Sequence, residues 1–154
     1  MNTLELYSLL KIRLEKKPIP KSIKRMAELL AIPEHDIIVT KNMPFVHNLK
    51  KVPDGCFCNN QIYINYDVLK KPNRLNFVFL HEAIHYKTSR SNIEGFDSEL
   101  YKSLSQIKDI VELEQHTDLL TFLLANEFGI KVSHNSRYIK WPLHKSIAYI
   151  LNNQ

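Results

Sequence analysis

The residues best placed to do chemistry lie in the run Leu80-His81-Glu82-Ala83-Ile84-His85-Tyr86, which has the pattern H-E-x-x-H. On a helix, side chains four apart share a face about one turn from each other, so His81 and His85 can offer ring nitrogens to a single metal ion. Glu82 is rotated from His81 by roughly 100° and reaches instead toward a water in the ion's open coordination position. This is the division of labour a zinc hydrolase needs: two neutral bases to hold the ion, and one carboxylate to move a proton. The same five residues could also be two half-buried histidines flanking a solvated glutamate, so the surrounding elements have to decide.

The run leading into the motif favours a helix. Pro72 and Asn73 supply a stop and a cap, and Leu75, Phe77, Val78, Phe79 and Leu80 continue without a break into His81. Such a helix is apolar on most sides and is expected to be buried, which holds the ligand side chains still. Read as a short strand, Phe77 to Leu80 would carry the two imidazoles too far apart to share an ion.

Two histidines need a third protein ligand if a water is to occupy the fourth position. The stretch Ser105 to Phe128 reads as a long helix, and Asp97 with Ser98 and Glu99 begins a helix ahead of it, with a break allowed near Ser103 to Ser105. On it Ile107, Ile110, Val111, Phe122 and Ala125 fall on one face, with Glu114 and Asp118 among them. A carboxylate on a core face is costly unless it is paired or bound to metal. Glu114 is therefore the expected third ligand, and Asp118, one turn on, is the expected acceptor for the spare N–H of a ligand histidine. Glu112, on the polar side with Asp109 and His116, is the rival and reads as a solvated charge.

H-E-A-I-H followed by E-Q-H-T-D resembles the gluzincin metallopeptidases, and within them the ImmA/IrrE group of small bacterial and mobile-element enzymes. The likeness runs over roughly residues 54 to 128 and includes the strand-like Asn60 to Asn65. It departs from the group's pattern at Ile84, where a glycine is usual, and at Gln115, His116, Leu120 and Thr121. The resemblance implies one zinc ion on His81, His85 and Glu114, with Glu82 as catalytic base. It also implies a narrow protein substrate, commonly a helix-turn-helix repressor, and a sheet edge lying along the cleft. The fold expected is α+β: a mostly helical, zincin-like minimal metallopeptidase domain with a small antiparallel sheet beside the metal-binding helix.

The rest of the chain is consistent with one domain over residues 1–154. A length of 154 residues at 44% hydrophobic content suffices for a sizeable core, and no repeat or low-complexity run marks a linker. No apolar run is long enough to span a bilayer, and Glu5, Lys11, Arg13 and Glu15 interrupt the N-terminal apolar residues. A cytoplasmic protein with no membrane contact is expected. The net charge of +5 is spread along the chain instead of forming a basic block; it permits attraction to acidic or DNA-bound partners without showing it, and no direct nucleic-acid binding is expected.

Residues 2 to 16 have the spacing of an amphipathic helix, and Lys21 to Ile32 that of a second, bounded by Pro20 and Pro33. The phrase Ser22 to Leu30 is like the first helix of a helix-turn-helix, but Glu34 to Thr40 reads as loop and strand, so packing against the sheet is expected. Strands are expected at Ile37 to Thr40, Phe45 to Asn48, Gly55 to Asn59 and Gln61 to Tyr66, with a tight turn at Asn59-Asn60. Cys56 and Cys58 lack the second pair of a four-cysteine zinc site and read as small, buried, reduced thiols. Ser89 to Phe96 reads as a loop, Gly129 as a helix stop, and Pro142 to Leu151 as a closing helix. His134, Tyr138, His144 and Tyr101 are all candidates to stabilise an oxyanion, and nothing in the sequence selects one.

Two further function classes accompany the peptidase reading. One is a catalytically silent zinc or metal-free domain that binds a protein partner. The other, resting on Ser22 to Leu30 alone, is a DNA-binding repressor.

Overall fold

A computed structural model describes residues 15–43, 52–90 and 98–133. The expected helix at residues 2–16, the strand at Phe45 to Asn48 and the closing helix from Pro142 lie wholly or almost wholly outside these residues. At the described edge of the first, Lys16 is not helical: Lys16–Lys17 forms a short strand, β1. There follow helix α1 (Lys21–Leu29), strands β2 (Ile37–Thr40), β3 (Gly55–Cys58) and β4 (Gln61–Asn65), and helices α2 (Pro72–Ser89), α3 (Ser98–Ser105) and α4 (Ile110–Phe128). The described chain is thus mostly helical, with one small sheet.

The sheet has the order β1-β2-β4-β3 and is mixed, which corrects the antiparallel expectation. β3 and β4 form the expected hairpin, turning at Asn59 and Asn60 with φ of 49° and 60°. Asparagine tolerates this left-handed backbone, and the pair matches the twist of the strands. β2, however, pairs with β4 in parallel, Ile37 beside Ile62 and Thr40 beside Asn65. The chain reverses once between β2 and β3 and again at the asparagine turn, so β4 returns in the direction of β2 and takes the place between them. Both edges of β4 are thus paired, and its two faces are covered by separate apolar clusters, so that Ile62, Tyr63 and Ile64 are all at 0% exposure.

One face of the sheet, through Ile37, Val39, Ile62 and Ile64, shares a core with Ile23, Met26 and Ala27 of α1 and with Leu75, Val78, Phe79 and Ala83 of α2. Burying a side chain such as Phe79 contributes on the order of 1.5–3 kcal/mol. α2 is buried along Leu75, Phe77 to Leu80, Ala83, Ile84 and Tyr86, as its all-round apolar composition requires, and Pro72 opens its first turn. α1 packs into this core without a second helix of helix-turn-helix geometry following it: residues Glu34–Asp36 make a single 3-10 turn and lead directly into β2.

α4 begins later than Ser105. Asp109 ends the break by accepting a hydrogen bond from the Glu112 N–H at 2.8 Å, and Gly129 closes the far end with φ 66°. The expected apolar stripe is corrected as well: Ile110 and Val111, in the first turn, are 73% and 53% exposed, while Phe122 and Ala125 are buried. Thr117 and Thr121 enter the core in their place. Their hydroxyls donate to the carbonyls of Leu113 and Thr117 on the same helix, which removes the penalty of burying them.

Candidate metal centre

Two pairs of residues spaced i, i+4 face each other across the contact between α2 and α4. Phe77 and Phe122 pack at 5.3 Å between ring centroids and bring the helices together one turn before His81. His81 and His85 then stand one above the other on α2, their rings 4.8 Å apart, and Glu114 and Asp118 do the same on α4. The Glu114 carboxylate spans both imidazoles, with Oε2 at 2.8 Å from His81 Nε2 and Oε1 at 2.9 Å from His85 Nε2. The two Nε2 atoms are themselves 3.2 Å apart. Asp118 Oδ1 meets the other side of the His81 ring, 2.6 Å from Nδ1, and its side chain is only 3% exposed.

The three side chains His81, His85 and Glu114 can each turn one donor atom into a common space, all within 4.8 Å of one another, and they form a group that could hold a metal ion. Among the described residues it is the one such group. The donor set fits a divalent cation: two imidazole nitrogens and a carboxylate, with a buried aspartate fixing the tautomer of one ring. Glu112 is exposed and is not in the group; its backbone, not its carboxylate, is engaged. His116 is also exposed, on the outside of α4. Tyr101 is buried in the core at 2% exposure, and His134, Tyr138 and His144 lie outside the described residues.

In the metal-free chain a proton is shared within this group. Burial pulls the His81 pKa down, but hydrogen bonds to Asp118 and Glu114 outweigh it and hold the imidazolium to about 10. For Glu114 burial acts upward and is outweighed by hydrogen bonds from His81 and His85, which bring the carboxylate to about 2. Glu82 responds the other way: desolvation raises its pKa, and the nearby His81 and His85 oppose that rise only in part.

Two supports of the site carry weaker signals in the sequence. Gly55 lets β3 come against α2 where Glu82 stands: a Cβ at this position would lie 2.5 Å from Val78 Cγ1 and 3.3 Å from Glu82 Cγ. A glycine inside a strand is the usual mark of such an approach, though here it reads as the first residue of an ordinary strand. The second support is at the end of α2, where Tyr86 donates its hydroxyl to Asp36 Oδ2 at 2.5 Å. The Arg90 guanidinium lies 4.3 Å over the Tyr86 ring and 3.5 Å from the same carboxylate oxygen. Asp36, 9% exposed, ties α2 to the turn before β2, and nothing in its local sequence distinguishes it from a loop acid.

Comparison with family models, with curated proteins and with solved structures finds no match to this chain. Among the described residues, no helix is long and apolar enough to cross a membrane.

Proposed function

We propose that the protein is a zinc-dependent endopeptidase in which His81, His85 and Glu114 hold the ion and Glu82 is the general base. The observation that carries this reading is the Glu114 carboxylate spanning both imidazoles, with a desolvated glutamate next to them on the same helix. His81, His85 and Glu114 would hold the ion, and a zinc bound by them would supply a water acidified toward a pKa of about 7 and a Lewis acid for the carbonyl.

The chain's own groups perform the remaining tasks. Asp118 accepts the His81 Nδ1–H and so keeps Nε2 turned toward Glu114 and His85. Glu82, its pKa raised by burial, takes a proton from the water as it adds to the peptide carbonyl and delivers it to the departing amine. β3 pairs with β4 on one side only among the described residues and lays the face of its Gly55 against Glu82; an extended peptide could pair with the other edge of the strand. The resemblance to ImmA/IrrE peptidases points to a helix-turn-helix repressor as substrate.

The test is metal content together with cleavage. Purified wild-type chain and Glu82→Gln are loaded with zinc and incubated with repressors encoded near the gene. The variant is expected to keep one zinc per chain and to cleave about 10²- to 10⁴-fold more slowly. Cleavage by Glu82→Gln at the wild-type rate overturns the mechanism. A zinc-loaded wild type that cleaves none of the repressors overturns the proposed substrate, and binding without turnover would leave a partner-binding domain.

A further inference from the structure

The face of the sheet turned away from α2 gathers donors of a different chemistry. Cys56 and Cys58 stand two apart on the edge strand β3, so their side chains share a face, while Phe57 between them turns to the other side and meets the Tyr86 ring edge-on at 6.0 Å. Both thiols are unbridged, as expected, and half-buried where burial was expected. They pack against Ile38, Met43 and Tyr63, an apolar cluster separate from the main core, and Met43 is 3% exposed. Three sulfur-bearing side chains thus belong to one apolar cluster on this face of the sheet.

The two thiols are close enough to hydrogen-bond with each other. That bond holds the Cys58 thiol below its ordinary range, and the same bond together with burial pushes Cys56 up. The pair therefore gives up its first proton from Cys58 and keeps the second between the sulfurs.

A disulfide is a poor use of this geometry. Positions two apart on a strand are separated by about 6.6 Å, at the long limit of the Cα span a disulfide bridges, and their Cβ bonds run parallel. Closing the bond would buckle a strand held to β4 at Cys56–Tyr63 and Cys58–Gln61. A cation placed between the sulfurs spans a longer gap and leaves the strand straight. Zinc suits the group badly, since structural zinc takes four ligands and no His, Asp or Glu among the described residues joins the pair as a third donor. Thiolate and thioether sulfur in an apolar setting is the donor set that selects Cu(I).

We propose that Cys56, Cys58 and Met43 form a binding site for one Cu(I) ion on the sheet face opposite the His81–His85–Glu114 group. The thiolates bind as their protons leave to solvent, and the Met43 thioether completes a three-sulfur set with no change in oxidation state. The site stands or falls separately from the peptidase reading, because it shares no residue with it.

The experiment uses the full zinc-loaded chain and follows alkylation of Cys56 and Cys58 by iodoacetamide with mass spectrometry. One equivalent of Cu(I), kept reduced by ascorbate, is expected to slow alkylation of both thiols by about tenfold or more, whereas a further equivalent of zinc leaves it unchanged. Alkylation unaffected by Cu(I), or slowed equally by zinc, overturns the proposal. In competition with a coloured Cu(I) chelator, the double variant Cys56→Ser, Cys58→Ser is expected to lose affinity by about 100-fold or more, and Met43→Leu by about tenfold. Equal competition by wild type and the double serine variant overturns the site, and unchanged affinity of Met43→Leu overturns the third sulfur. Because alkylation is followed on the unsubstituted chain, it decides for or against the copper site even if a variant folds poorly.

Discussion

Replacing Asp118 with Asn tests whether the proton in the metal-free site is held as the geometry implies. Asparagine keeps an oxygen that can accept from His81 Nδ1–H but removes the charge that lies 2.6 Å from that nitrogen. In the folded metal-free chain the His81 pKa is about 10, against the ordinary 6.5. Over that interval the folded chain binds a proton that the unfolded chain has released, so stability falls as pH rises: the contribution is complete below pH 6.5 and is lost on passing about pH 10. A shift of this size corresponds to about 5 kcal/mol in full, of which about 3 kcal/mol disappears between about pH 6.5 and about pH 9. The depressed Glu114 pKa reports the same contacts from the acid side and is not added to this figure.

The assay is urea unfolding in the presence of a chelator at about pH 6.5, pH 8 and pH 9, for wild type and Asp118→Asn. The wild-type midpoint should drop by about 1–3 M urea across this range, at the slopes typical of small domains. Asp118→Asn should start lower and fall less steeply, since one of the two groups that hold the proton has lost its charge. Two parallel lines would refute the reasoning, because they would place the pH dependence outside His81.

Glu114→Ala should weaken zinc binding by about 100-fold or more in a competitive titration, and an unchanged affinity would remove Glu114 from the site. In wild type, free zinc at about 100 times its dissociation constant should add about 2.7 kcal/mol of stability, an increment a chelator reverses and Glu114→Ala lacks at the same concentration. Gly55→Ala forces a methyl to 2.5 Å from Val78 Cγ1 and should cost about 1–3 kcal/mol in urea unfolding, with cleavage reduced through the displacement of Glu82; wild-type stability would mean β3 and α2 are not in close contact. Tyr86→Phe leaves the buried Asp36 oxygen with the Arg90 guanidinium but without its hydroxyl donor, and should cost about 1–3 kcal/mol; a change within measurement error would argue against the tie to Asp36.

The pairing of His81 with His85 and of Glu114 with Asp118 was legible because helical period alone puts each pair on one face, and a carboxylate among apolar residues calls for a partner. What period could not supply was how far the packed face extends. Ile110 and Val111 fit the stripe by spacing but lie in the first turn of α4 and stay in water, while Thr117 and Thr121 are buried because their hydroxyls are satisfied on their own helix. The parallel pairing of β2 with β4 was also hidden: successive short strands suggest neighbours in the sheet, and only the double reversal through β3 inserts β4 beside β2. β1 escaped notice because two lysines on an edge carry no alternation to read. Asp36 and Gly55 owe their roles to residues 50 and 27 positions away, Tyr86 and Glu82, and such contacts leave no local trace.

All four polar side chains of the centre come from two rigid rods, and the Phe77–Phe122 contact is a hinge pin between them. A slip of one rod past the other by even half a turn would uncouple both imidazoles from both acids together, with no half-assembled intermediate. Cation affinity should therefore behave as a gauge of how tightly those two rings are seated. Trimming either ring to a smaller apolar group, which removes no donor atom, should weaken cation binding before it unfolds the chain.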